Sequence, residues 1–333
     1  MKFLLQPLLG RANKVLCLVT FYTLGCGNPG LQEPSPGFET VLTPSTIQSP
    51  LEESTPDLDT PNLLTIQSRS LVDIELTFNH PLDTAQLLPS MIQTEPNVAI
   101  ESLTVDPSEP NTLRLRYGEN LLPKTLHITL NKLPFHGEVS LSTQTEIVPE
   151  TKIAFLSSSR GTAKLSTWSL AGGKSGTDAA DEVCQQEAEA AGLRGVFIAW
   201  ISSSTRHAKN VLGDSPGAWL TLAPGNPIFS RGQMELFAGE ILNPLHYHAD
   251  GQEGSNANGY DVLTRTTFAG LRSGGTFANN YCQDWTSAAG ATVEGLGHSK
   301  SIGEIWTRRN LGICSQNTLR LFCLQKGSGH GSV

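Results

Sequence analysis

From Leu63 onward, apolar and polar residues alternate in short runs: LLTIQ, LVDIELTF, NVAIESLTV, TLRLRY, TLHITL and GEVSLS. Turn-forming clusters such as Asn79-His80-Pro81, Asp106-Pro107-Ser108 and Tyr117-Gly118-Glu119-Asn120 separate them. Period-two alternation turns one face of each run toward a core and the other toward water, so about six or seven strands are expected, forming a β-sandwich over residues 63–153. A different period starts at Asp178. That residue stands where a side chain can cap a helix, Asp181 and Glu182 put negative charge at the favourable end of the helix dipole, and Ala180, Cys184, Ala188 and Ala191 recur at helical spacing before Gly192. Val196 to Trp200 follows as an apolar run of strand length. Loops rich in Gly and Asn fill Pro224 to Asn280, and two short strands are expected around Trp306 and Leu319 to Leu324.

The N-terminal residues follow neither period. Residues 1–26 combine Lys2, Arg11 and Lys14 with the apolar run VLCLVTFYTLG, which is too short to span a bilayer and has the form of an export signal. No other segment is apolar for long enough to cross a membrane. Its end, Thr23-Leu24-Gly25-Cys26, resembles a bacterial lipobox, which implies that Cys26 is acylated and becomes the mature N-terminus. At about 0.8 kcal/mol per buried methylene, two or more acyl chains hold a protein on a membrane. An ordinary signal peptide cut nearby would instead leave Cys26 as an odd free thiol, which exported proteins avoid. Residues 27–62 hold seven prolines, six acids up to Ser68 with no base, and no apolar periodicity, so they are expected to be a disordered acidic tether. Residues 328–333 read as a flexible tail.

Charge and cysteine usage narrow the function class. The net charge of −8 belongs to the tether and the sandwich region, and no strongly basic face argues for nucleic acid. A length of 333 residues accommodates two domains, the second over 154–327 with all five tryptophans. With Cys17 removed in the signal and Cys26 acylated, Cys184, Cys282, Cys314 and Cys323 remain in an oxidising compartment, where four cysteines allow three connectivities. None of their spacings contains a C-x-x-C pair, which disfavours a zinc site.

Two further resemblances rest on motifs. Ile74 to Asp83, a strand ending in Thr77-Phe78 followed by Asn79, His80, Pro81, Leu82 and Asp83, resembles the hallmark of bacterial immunoglobulin-like surface domains, usually spacers or adhesion modules. The helix with Cys184, the strand Phe197-Ile198-Ala199-Trp200-Ile201-Ser202, Gly217-Ala218-Trp219, Asn280 to Ser287 (NYCQDWTS), then Trp306, Cys314 and Leu321-Phe322-Cys323-Leu324 resemble the endostatin-like domain of leptospiral and myxobacterial surface proteins, over about Ser157 to Lys326. That resemblance implies an α+β, C-type lectin-like (endostatin-like) fold after an all-β immunoglobulin-like sandwich, with disulfides Cys184–Cys323 and Cys282–Cys314. It also implies a surface-exposed outer-membrane lipoprotein that is an adhesin or host-factor binder, with extracellular-matrix proteins such as laminin and fibronectin, plasminogen, or complement regulators such as factor H as partners. Calcium-independent glycan binding and a purely structural envelope role are the alternatives.

The resemblance carries over no binding residue. The basic clusters Arg206 with Lys209, and Lys300 with Arg308 and Arg309, are the candidate ligand-binding groups, against a reading as scattered solvated charges. The Glu/Gln-Pro-Asn/Asp and Trp-Asn-Asp triplets of calcium-dependent lectins are absent, and the oxygen-rich loop His248 to Asn256 lacks EF-hand spacing. His246, His248 and His298 offer imidazoles but are expected on a solvent-facing loop, so no cofactor is expected. Gly173-Lys174-Ser175 lacks the strand and the earlier glycine of a phosphate loop, the serine runs lack a Gly-x-Ser-x-Gly elbow, and no H-E-x-x-H helix exists; a non-enzymatic role is expected.

Overall fold

A computed structural model describes residues 60–121, 124–264, 282–289, 292–307 and 310–327. The expected export signal with Cys26, most of the expected tether, the pair Arg308 and Arg309, the segment 265–281 and the expected tail lie outside the described residues. What is described is mostly β-strand, in several sheets, with few helices.

The alternating runs form seven strands: β1 (Leu63–Ser68), β2 (Asp73–Phe78), β3 (Ile92–Glu95), β4 (Ile100–Val105), β5 (Thr112–Tyr117), β6 (Leu126–Phe135) and β7 (Val139–Ile147). One antiparallel sheet has the order β1-β2-β5-β4 and the other β3-β6-β7. This is the strand order of a constant-type immunoglobulin sandwich. Ile74, Leu76 and Phe78 of β2 meet Ile128, Leu130, Leu133 and Phe135 of β6 in one core, with the Phe78 and Phe135 rings edge to face at 5.2 Å. Full burial of each such side chain contributes about 1.5–3 kcal/mol.

The sandwich ends at Ile147. The strand β8 (Thr151–Leu156), expected to divide between the two domains, joins the second domain whole, since it pairs in parallel with β10 (Ala218–Thr221) and antiparallel with β15 (Phe322–Lys326). With β9 (Val196–Ala199) and β11 (Ile228–Ser230) they make a sheet of order β11-β10-β8-β15-β9. Side-chain alternation gives it two buried faces. Ile153, Phe155, Ala199 and Cys323 point to the helix α1 (Gly176–Ala190), while Ala154, Leu156, Trp219 and Leu324 pack with Trp200, Trp306, Phe229 and Phe322.

The helix begins earlier than its charge pattern implies. Its N-cap is Ser175 with no side-chain cap, and Asp178 sits inside the first turn, where its negative charge still favours the N-terminus. The buried face carries Ala179, Ala180, Val183, Cys184 and Ala188. Register places Cys323 opposite Phe155 and Ala199, on the face that α1 covers, and Cys184 is bonded to it. The second disulfide, Cys282–Cys314, links the β14 (Asn310–Ile313) side of a small sheet of order β12-β13-β14 to the turn Cys282–Trp285. The other strands of that sheet are β12 (Asp261–Leu263) and β13 (Thr292–His298). Cys282, Gln283, Asp284 and Trp285 all have φ between 49° and 69°. A left-handed turn costs about 1–2 kcal/mol per residue, so it needs outside support. The disulfide supplies part of it; the Trp285 indole donating to the Ser202 carbonyl at 2.8 Å, and Asp284 accepting from the Ser204 amide at 2.7 Å, supply more.

The sandwich is fixed to the second domain, the head. The β1–β2 turn lies against the β11–α3 turn, α3 being Gln233–Ala238: Leu71 N donates to Arg231 O at 2.8 Å, Gly217 N donates to Arg69 O at 3.0 Å, and Ser70 bridges to Gly232. A Cβ on Gly232 would collide with Ser70, so only glycine permits this approach. Arg69 reaches both Asp214 of the head (3.0 Å) and Glu75 of the sandwich (2.9 Å), and Leu71 and Val72 are buried.

Candidate functional site

The far end of β8 from this joint carries a cleft of about 470 Å³ whose lining includes Arg160, Asn256, Asn258, Tyr260, Gln316 and Thr318. Its organiser is Tyr260, at the end of the Asn- and Gly-rich loop that leads into β12. The ring lies under the Arg320 guanidinium, 4.1 Å from the ring centroid, and stacks on His246 at 5.8 Å. Its hydroxyl meets the Ser255 hydroxyl at 3.0 Å and accepts from the Asn256 amide at 3.0 Å, folding the loop back on itself. Gly259 completes the fold with φ +80°, and a Cβ there would press 2.7 Å from His298. The opposite wall is held by Gln316, whose amide donates to Asp261 at 3.0 Å and to the Thr318 hydroxyl at 3.1 Å.

Electrostatics follow from this packing. Burial lowers the Arg320 pKa from its ordinary value, partly countered by Tyr260, and the guanidinium is anchored by the Ser157 and Ser158 carbonyls at 2.6 Å each. Burial of the Tyr260 phenol opposes its ionisation, yet Ser255, Arg320 and Asn256 together hold its pKa below the ordinary value. Burial also lowers the pKa of His246, which keeps the imidazole neutral at physiological pH.

The residues singled out in the sequence fall elsewhere, with one exception. Arg206 is 13% exposed at its side chain and grips Asp181 through both terminal nitrogens at 2.8 Å, so it ties the 203–206 turn to α1 and does not project as a free cation. Lys209 donates to the Phe237 carbonyl at 2.7 Å with its ammonium 5.3 Å from the Phe237 ring centroid. The two therefore form no open basic pair. Lys300 is the exception: it flanks the cleft beside Gly259 and pairs with Glu253 at 3.4 Å. Arg308 and Arg309 lie outside the described residues.

The histidine loop is not solvent-facing as expected. His246 is 3% exposed, with Nδ1 on the Ser299 hydroxyl (2.9 Å) and Nε2 on the Gly254 carbonyl (2.8 Å), while His248 Nδ1 bonds the Leu156 carbonyl at 2.9 Å. The loop is stitched to the end of β8, which accounts for its burial. Among the described residues no three His, Cys, Asp or Glu side chains converge in a metal-binding arrangement. In the oxygen-rich loop, Asp250 accepts from the Gln252 amide, an ordinary turn contact. Lys174 of the phosphate-loop imitation is held by Glu182 at 2.6 Å.

No protein-family model matches the chain, and no curated protein does. Among solved structures, domains 1–6 of surface layer protein SbsC are similar over 32% of this chain and 17% of their own, at 17% identity and a TM-score of 0.25. Native alpha-2-macroglobulin from Escherichia coli, spanning domains MG0-NIE-MG1, is similar over 32% of this chain and 37% of its own, at 20% identity and a TM-score of 0.25. LD transpeptidase LdtMt1 in complex with imipenem is similar over 31% of this chain and 60% of its own, at 11% identity and a TM-score of 0.18. The chain thus spans less than two thirds of each. Likenesses this slight carry no argument about function.

Sequence reasoning missed the cleft because its walls come from the loop after β8, the loop before β12 and the turn between β14 and β15, each unremarkable alone. The one available signal was Tyr260, an aromatic residue closing the run Asn256-Ala257-Asn258-Gly259.

Proposed function

We propose that the chain is a lipid-anchored surface protein of the endostatin-like lipoprotein kind, in which the sandwich and tether carry a lectin-like head that binds host macromolecules: matrix proteins, plasminogen or complement regulators. The observation that carries this reading is the placement of the polar cleft. The tether enters the sandwich at Leu63, the sandwich is fixed to the head at the start of β8, and the cleft opens past the end of β8, about 20 Å farther on for six residues of strand. A binding surface at the end of the head opposite its joint with the sandwich suits an adhesin.

The lectin-like assignment is supported by two features. The first and last strands of the head pair with each other, and α1 is bonded to the last strand through Cys184–Cys323. Calcium-independent glycan binding is the second reading, favoured by the amide and hydroxyl groups of the cleft. Solid-phase binding of the chain from Gly27 to Val333 to laminin, fibronectin, plasminogen, factor H and a glycan array separates the readings. Saturable protein binding that survives chelation supports the first, and glycan-only binding supports the second. Silence on every surface refutes both. The anchor has its own measurement: Cys26→Ser should move the protein out of the membrane fraction, and normal processing with membrane retention would overturn the lipoprotein assignment.

A further inference from the structure

Resting on the glycan reading, we infer that the cleft between Arg160, Asn258 and Thr318 binds a carboxylated sugar unit, its carboxylate on the Arg160 guanidinium and its ring hydroxyls on the amide and hydroxyl groups opposite. The other charges at the cleft are already engaged: Arg320 by two serine carbonyls, Asp261 by Gln316 and Lys300 by Glu253. Arg160 is exposed, lines the cleft, and makes no hydrogen bond or ion pair among the described residues. The Asn258 side chain is in the same state. An unpaired guanidinium presents a planar fork of donors that matches a carboxylate with two parallel hydrogen bonds.

Among the described residues Arg160 is the cation at the cleft whose donors are unengaged, and one carboxylate matches its fork. A phosphate monoester carries about −1.5 to −2 at neutral pH and would set its surplus charge beside Asp261. A carboxylate leaves no surplus. The remaining groups are neutral: the Asn258 carboxamide, the Gln316 carbonyl oxygen and the Thr318 hydroxyl, which accepts from Gln316 and keeps its own proton to donate. Paired donors and acceptors of this kind suit vicinal hydroxyls. The wall that bears them is held in place before any ligand arrives, because Gln316 is fixed by Asp261 and Thr318, and the Asn258 loop by Tyr260 and Gly259. The volume of about 470 Å³ lies within the range of small-ligand sites.

The test uses the chain from Gly27 to Val333 with sialyllactose, a glucuronate-containing hyaluronan tetrasaccharide, lactose and inorganic phosphate, by titration calorimetry. Binding of either carboxylated probe, with lactose at least tenfold weaker, is expected, and comparing the two acids tells which sugar the cleft takes. Arg160→Ala should weaken binding tenfold or more, Arg160→Lys nearly as much, and Asn258→Ala several-fold, since a hydrogen bond to a charged group is worth more than a neutral one. Both residues are exposed, so unchanged thermal unfolding of the variants confirms an intact fold. Equal affinity of wild type and Arg160→Ala for the acids, or preference for phosphate or lactose, overturns the inference while leaving glycan binding in place. If no glycan binds on the array either, the glycan reading falls with it.

Discussion

Lys152 offers the sharpest test of the physics of this fold. It lies on β8 beside Trp219, is 0% exposed, and its ammonium has no hydrogen-bond partner. Contact with the Trp219 ring at 4.6 Å is the compensation visible around it. Burial lowers its pKa from 10.5 to about 8, with Glu150 and Asp214 pulling it partly back. Below pH 8 both folded and unfolded chains hold the proton, and the folded protein bears the whole cost of a buried ammonium. Between pH 8 and 10.5 the unfolded chain keeps a proton that the folded chain has lost, so stability rises with pH, and above 10.5 the cost is gone. Linkage puts that cost at ~3 kcal/mol at pH 7 and ~1 kcal/mol at pH 9.5. Lys152→Met keeps the aliphatic packing on Trp219 and removes the charge. It should therefore stabilise the protein by up to ~3 kcal/mol at pH 7 and by less than half as much at pH 9.5. Urea unfolding followed by tryptophan fluorescence reads the head, which holds all five tryptophans. Comparing variant and wild type at each pH cancels every other titrating group. An equal difference at both pH values, or a destabilised variant, would refute the reasoning.

Two other expectations concern the staples and the joint. Replacing both cysteines of the outer disulfide by alanine opens a closure of 139 residues and should cost ~5 kcal/mol, against ~4 kcal/mol for the inner closure of 32. Urea midpoints of the two double variants should fall in that order, and coincident midpoints would contradict the closure argument. Gly232→Val should push Ser70 away and release the joint. Amide exchange should then speed up at Leu71 and Gly217 while the core strands β8 and β15 stay protected, and unchanged protection at Leu71 would show that the joint does not depend on this glycine.

Legibility tracked how far apart in sequence the interacting groups are. Six of the seven sandwich strands were readable because alternation is a local property. The strand β3 was not, because of its residues Ile-Gln-Thr-Glu only Ile92 is buried, and pairing to Leu130 of β6 is what makes it a strand. The charge pattern puts the N-cap of α1 three residues late, at Asp178 and not Ser175, for a related reason. Asp178 has the chemistry of a cap, but the chain arrives through Ser175 and Gly176, and Asp178 ends up in the first turn, 3.8 Å from Arg206.

Arg206 shows why charge clusters read from sequence mislead about binding. Arg206 and Lys209 look like a basic pair because they are neighbours along the chain, yet each finds its partner 25 or more residues away, on α1 or at Phe237. The informative cation was Arg160, which stands alone in sequence and therefore attracts no attention. It lacks a carboxylate because the nearby Glu187 points its two oxygens at the Ser158 and Ser159 amides, both at 2.7 Å, and Asp261 is held by Gln316. A binding group of this kind is defined by what its neighbours are already doing, and that becomes visible only once the two ends of β8 and the loop around Tyr260 have been brought together.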